Sequence, residues 1–149
     1  MAVLAGRSTG MGNMLQHNSG SILLLLLFAA CAATERVHLP AEGALGPYSA
    51  SVSAGGVVAV SGQISPASEF SVEAEQVLRK VEHELQRAGL GLADVITCTV
   101  FLTDMEHYSA FNEVYARVLT APYPARACVA VKALPGGARV EVQVFAIRR

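Results

Sequence analysis
The stretch Val140-Glu141-Val142-Gln143-Val144-Phe145-Ala146-Ile147 alternates without a break. Strand side chains point to opposite faces in turn. Val140, Val142, Val144 and Ala146 therefore form one aliphatic face, and Glu141, Gln143, Phe145 and Ile147 the other. A helix, with its period of about 3.6 residues, would scatter those aliphatic positions around its circumference. The stretch demands a strand in a sheet covered on one face, and everything else must supply the cover.

The remaining elements follow from pattern. Residues 48–52 read as a short strand after Gly46-Pro47, and 57–63 as a second strand across a Gly55-Gly56 hairpin turn. Ser71 is placed to cap a helix with Glu73 and Glu75 in its first turn, and Val77, Leu78, Val81, Leu85 and Ala88 form its stripe up to Gly89. The β-branched run 95–102 predicts a buried strand. Thr103 or Asp104 caps a second helix with the stripe Phe111, Val114, Tyr115 and Val118, ended by Pro122 and Pro124. Residues 125–131 and 139–147 are strands joined across Leu134-Pro135-Gly136-Gly137. The order ββαβαββ predicts an α+β domain over residues 35–149, a mixed sheet with both helices on one face.

Parity also gives an expectation for 125–131. If its aliphatic side chains, Ala127, Val129 and Val131, meet the helices, then Arg126 and Cys128 join Glu141 and Gln143 on the uncovered face. That face also carries Phe145 and Ile147, an apolar patch for a second copy of the chain to cover. Arg126 and Glu141 are then expected to point together into a pocket at a subunit interface. Coordinates with the two on opposite sides of the sheet contradict this.

Residues 1–34 differ in kind. They hold no acid and one Arg7, and end in the apolar run 22–33. Twelve helical residues reach about 18 Å, short of a hydrocarbon core of about 30 Å, so no stable membrane span is expected. The run suits a signal-peptide core with small residues around Cys31, and loosely a lipoprotein box. An organelle-targeting leader and an upstream extension absent from the mature protein fit as well. Cytoplasm, mitochondrion or another organelle, and a secretory or lipoprotein route all stay open.

Beyond the leader the chain carries 10 basic and 12 acidic side chains. A phosphate-backbone ligand needs Lys and Arg to neutralise it, so no nucleic-acid partner is expected. Three cysteines without a CxxC and four histidines without ligand spacing predict no metal site.

An Arg on a strand offers a planar fork that fits a carboxylate, and a nearby Glu can move protons between water and a leaving amine. Arg126 and Glu141 fit those roles, but spacing alone favours reading them as an ion pair across an interface. Cys128 without a histidine partner reads as a small buried hydrophobe. Tyr48 is a core ring or a cleft wall. Asn112 is an exposed polar side chain or a cleft residue. Gly62, in Ser61-Gly62-Gln63, marks a bulge or a close backbone approach to a ligand.

Several motifs occur in one order: Gly46-Pro47-Tyr48-Ser49, Val60-Ser61-Gly62-Gln63-Ile64, Thr99-Val100-Phe101-Leu102-Thr103-Asp104, Phe111-Asn112-Glu113-Val114-Tyr115, Pro124-Ala125-Arg126-Ala127-Cys128 and Val140-Glu141-Val142. Together they resemble the reactive-intermediate deaminase family (RidA/YjgF, also L-PSP) across residues 37–149. The resemblance implies a chorismate-mutase-like (YjgF-like) fold and a homotrimer with clefts between subunits. It also implies hydrolysis of 2-iminopropanoate and 2-iminobutanoate to 2-keto acids and ammonia, a form of metabolite damage control. Arg126 would clamp the substrate carboxylate and Glu141 would activate water. Gly62 and Cys128 would offer backbone groups, and Tyr48, Ser61 and Asn112 would line the cleft, some from the neighbouring subunit. No cofactor is implied, because the imine is already electrophilic. A non-catalytic ligand-binding trimer, a chaperone-like or structural trimer, and an endoribonuclease or translation inhibitor are the alternatives in this family. The chain departs from the family pattern in a shorter segment after Gln63, in Gln143 where an acid is common, and in Glu73 where an amide is usual.

Overall fold
A computed structural model describes residues 34–148 of the protein. All but the last residue of the leader, with every expectation attached to it, lies outside the described residues. Six strands form one sheet: β1 (Val37–Pro40), β2 (Ser49–Ala54), β3 (Val57–Gln63), β4 (Val95–Leu102), β5 (Ala125–Ala130) and β6 (Val140–Ile147). Their spatial order is β1-β2-β3-β6-β4-β5. Two helices, α1 (Phe70–Arg87) and α2 (Tyr108–Val118), pack against the sheet and each other. The first strand, β1, carries no alternation strong enough to announce itself; it gains its place by pairing with β2.

β6 inserts between β3 and β4, antiparallel to both. This central position buries the whole aliphatic face read from its sequence: Val140, Val142, Val144 and Ala146 are at most 3% exposed. Only β4 and β5 run parallel, which requires a crossover, and α2 supplies it.

The helix α1 starts earlier than the Ser71 cap predicts. Its N-cap is Glu69, in extended backbone and without a side-chain cap bond. The reason lies in the stripe: buried Phe70 adds a turn's worth of apolar contact upstream of Ala74, Val77, Leu78 and Val81. Ser71 is thus inside the helix, and Glu73 is the one acid of its first turn. The chain leaves α1 at Gly89 (φ +77°), where Leu90 N–H donates to the Leu85 carbonyl at 2.9 Å. Asp104 caps a 3₁₀ turn, Met105–His107, rather than α2 itself, accepting from the Glu106 N–H at 2.8 Å.

The expectation for β5 is overturned. Cross-strand partners share a face, and Arg126 pairs with Cys98, which pairs in turn with buried Val144. Val129 pairs with Phe101, which pairs with Glu141. Arg126 and Cys128 therefore lie on the helix side, and Ala127 and Val129 on the open side. Glu141 and Arg126 stand on opposite faces, with β4 between their strands. β5 is the sheet's edge, where the helix layer ends. A guanidinium there can pack under α2 and still reach water, so the aliphatic set is not forced inward as it is on β6.

Candidate active site
The seven residues singled out from sequence fall into two groups. Tyr48, Ser61, Gly62 and Glu141 line one cavity of about 360 Å³ on the open side of the sheet, walled also by Leu45, Ile64 and Pro135. A larger groove of about 710 Å³ along α1 holds none of the seven; it is edged by surface side chains such as Gln76, Arg79 and Lys80.

A bulge builds the first group. The β3–β6 register shifts between Val60 and Gln63, so Ser61 and Gly62 together span the cavity side of the strand. Ser61 Oγ donates to the Ser49 carbonyl at 2.7 Å, tying β3 to β2 beside Tyr48. A tight turn, Tyr48 N–H to the Gly46 carbonyl at 3.1 Å, aims the Tyr48 ring into the cavity. The Glu141 carboxylate lies across Gly62, where any Cβ would overlap it. Glycine is needed here for room, not for an unusual φ. Partial burial raises the Glu141 pKa above the ordinary 4.5, because a desolvated carboxylate holds its proton more tightly. That direction suits a group that takes and returns protons.

The second group sits at the edge strand. Arg126 Nη2 donates to Asn112 Oδ1 at 2.6 Å and to the Tyr108 hydroxyl at 3.5 Å. Its guanidinium carbon lies 4.7 Å from the Tyr115 ring centroid and 5.8 Å from those of Phe111 and Tyr108. Tyr108, Phe111, Asn112 and Tyr115 occupy one face of α2 by helical spacing. That spacing is the sequence signal for the contacts of Arg126, and it had supplied only a core stripe. Asn112 is thus a partner of Arg126, not an exposed polar side chain. Among the described residues Arg126 makes no ion pair.

Cys128 is half-buried and packs against the core. Burial pushes its thiol pKa up, against the opposing pull of Arg126, and burial takes Cys98 up to about 11. Neither is a thiolate at neutral pH, so neither is poised as a nucleophile. Among the described residues no three His, Cys, Asp or Glu side chains gather as a metal site, and no helix is long and apolar enough to cross a membrane.

One further pair escaped a functional reading of the sequence. Buried Glu73 accepts from the Arg139 backbone N–H at 2.6 Å and from Arg139 Nε at 2.8 Å. Its signal was the acid at an amide position.

The chain matches the endoribonuclease L-PSP family over residues 39–148. It is 43% identical over 111 residues to a RutC family protein of Sinorhizobium fredii, covering 69% of this chain and 88% of the relative. To the 2-iminobutanoate/2-iminopropanoate deaminase of Salmonella typhimurium it is 35% identical over 119 residues, 73% of this chain and 93% of that one. The solved structure of Escherichia coli TdcF with bound serine matches with a TM-score of 0.69 at 35% identity, covering 72% of this chain and 92% of that chain.

Proposed function
This chain belongs to the RidA/YjgF/L-PSP family, and from that premise we propose that it hydrolyses 2-imino acids to 2-keto acids and ammonia. The observation that carries the reading is the state of Arg126. It is a half-buried cation framed by three aromatic rings and held by a neutral amide, with no carboxylate paired to it among the described residues. Such a fork is ready for the carboxylate of a small acid, and each charge-assisted hydrogen bond contributes about 1.5–3 kcal/mol. The serine bound by TdcF is a ligand of this class.

Arg126 and Glu141 cannot both reach one small substrate within a single chain, because the sheet lies between them. A composite site resolves this: the edge strand β5 of one copy brings Arg126, Asn112 and Cys128 to the Tyr48–Ser61–Gly62–Glu141 cavity of the next. A ring of three copies repeats that contact and closes it, and covers Val129, Phe145 and Ile147, which are 45%, 38% and 41% exposed here.

In that site Arg126 holds the substrate carboxylate while Glu141 takes a proton from water. The water oxygen adds to the imine carbon as the C=N electron pair moves to nitrogen, and Glu141 passes the proton it took from water to that nitrogen, giving a neutral carbinolamine. Glu141 then takes the carbinolamine hydroxyl proton as C=O forms and delivers it to the nitrogen as the C–N bond breaks, so ammonia leaves and the carboxylate is restored. Pre-oriented acid/base help of this kind is worth about 10²–10⁴ in rate.

The family's description names an endoribonuclease, yet 10 basic against 12 acidic side chains beyond the leader do not favour a phosphate-backbone ligand. The test is direct. An upstream dehydratase generates 2-iminopropanoate or 2-iminobutanoate, and its decay is followed with and without this protein. Acceleration supports the reading; decay at the buffer rate overturns it.

A further inference from the structure
Arg139 is fixed at both ends of its backbone and along its side chain. Its N–H and Nε both donate to the buried Glu73 carboxylate. Its Nη2 donates to the Ala67 carbonyl at 2.7 Å and the Ser68 carbonyl at 3.3 Å. Its own carbonyl accepts from the Thr103 N–H at 3.0 Å. One residue thus gathers α1, the end of β4 and the segment between β3 and α1, immediately before β6 begins.

These ties converge on the Glu141 cavity. Glu141 is two residues along from Arg139. Ile64 and Pro135, which wall the cavity, lie on the two segments that Arg139 joins. The positive-φ turn at Gly136 brings those segments together, since a Cβ on Gly136 would lie 3.6 Å from Ile64 and 4.0 Å from Pro66. Residues 64–69 have no strand of their own; Ile64 is held at its carbonyl by Lys80 Nζ at 2.8 Å, and Ser65 by Gln76 at 3.1 Å, while the far end of the segment is held by Arg139. The Glu73 carboxylate is 1% exposed, and a buried acid is tolerated only when its hydrogen bonds are met, as Arg139 meets them here.

We propose that Arg139, clamped by Glu73, is a positioning residue for the Glu141 half of the site, setting both walls of the cavity around the attacking water. It touches no substrate; it acts through Glu141, Ile64 and Pro135. The inference rests on the imine-hydrolysis reading for its kinetic consequence, but not for its structural one.

The test uses the full-length assembled protein and four variants: Arg139→Lys, which keeps the charge and loses the fork; Glu73→Leu; Glu73→Gln, which keeps an acceptor oxygen; and Arg139→Ala. With 2-iminopropanoate generated in place, Arg139→Lys and Glu73→Leu are expected to lower kcat about tenfold or more. KM should change less than about twofold, because the carboxylate is held by Arg126. Glu73→Gln should stay within about threefold of wild type, a rescue by the conservative change. A second readout needs no activity: the Glu141 carboxyl carbon is titrated by NMR in glutamate-labelled protein. It should titrate lower in Arg139→Lys and Glu73→Leu, as loosened walls admit water. Unchanged kcat per folded protein in both variants overturns the proposal, as does an unchanged Glu141 titration. If Arg139→Ala or Glu73→Leu does not fold, Arg139→Lys and Glu73→Gln decide alone. If wild type itself leaves the imine untouched, the functional reading fails, and the titration still judges the positioning role.

Discussion

Arg126 and Glu141 stand on opposite faces of one sheet, with β4 between their strands: Arg126 shares a cross-strand row with Cys98 and Val144, and Glu141 shares one with Phe101 and Val129. Within one chain the two groups face away from each other. On the proposed reading, a reaction that uses both takes them from two copies of the chain.

That requirement has a quantitative signature. Arg126→Ala and Glu141→Gln should each be inactive alone. Unfolded together and reassembled in equal amounts, they should recover about one quarter of wild-type activity, the fraction of head-to-tail contacts that unite two intact halves. Specific activity of the mixed assembly checks it. No recovery would place both groups in one chain's site; activity in either variant alone would remove that group from the reaction.

Arg126→Lys keeps the charge but not the planar fork, so one of two parallel hydrogen bonds to a carboxylate is lost along with the ring contacts. At about 1.5–3 kcal/mol per charge-assisted bond, kcat/KM should fall by about 10–100-fold. Arg126→Ala should remove measurable activity. Steady-state rates on 2-iminopropanoate distinguish the two; full activity in Arg126→Ala would end the clamp assignment.

The division between what could be read and what could not follows the burial of each strand. The face of β6 was legible because a central strand leaves no choice: Val140, Val142 and Val144 must meet the helices. The same alternation on β5 misled, since at an edge the aliphatic Ala127 and Val129 gain little by turning inward and Arg126 gains an amide and three rings. Ser71 failed as a cap for a related reason, a single buried aromatic, Phe70, outweighing local cap chemistry. β1 has too little pattern in four residues to be seen. The candidate site residues were named through motif resemblance, and the sheet's register then sorted them into two groups, which no spacing along the chain encodes.

Gly62 leaves no room for a side chain while the Glu141 carboxylate keeps its place. In Gly62→Ala the new methyl overlaps the Glu141 carboxylate, which must rotate away. Overpacking of this kind costs about 1–3 kcal/mol, so the protein should still fold with a lower melting temperature. Activity should fall much further than stability, as seen by comparing kcat with the thermal midpoint. A Gly62→Ala enzyme with wild-type kcat would show that Glu141 needs no fixed place.

Burial raises the Glu141 pKa above 4.5, and the sign has two consequences. As a base Glu141 must be ionised, so kcat should fall as pH drops through that raised value, and Glu141→Gln should abolish the activity together with this limb. For folding the sign is opposite. The folded state favours the protonated acid, a stabilisation present below the unfolded pKa and lost as pH rises through the folded one. At neutral pH Glu141→Gln should therefore be no less stable than wild type. A pH–rate profile and thermal unfolding at pH 7 check both; a destabilised Glu141→Gln would contradict the desolvation argument.

The composite site depends on the open face being covered. Val129 lies in the row of Glu141 and is 45% exposed, on the same face of the sheet as Phe145 and Ile147. Val129→Glu would carry a carboxylate into that contact, where desolvating it unpaired costs several kcal/mol. Within one chain the side chain is already in water, so the fold should survive with unchanged far-ultraviolet circular dichroism. Mass by light scattering should fall from a trimer to a monomer, and imine hydrolysis should vanish with it, although Arg126 and Glu141 are both intact. A monomeric Val129→Glu protein that still turns over would show that one chain suffices, against the sheet lying between its two groups.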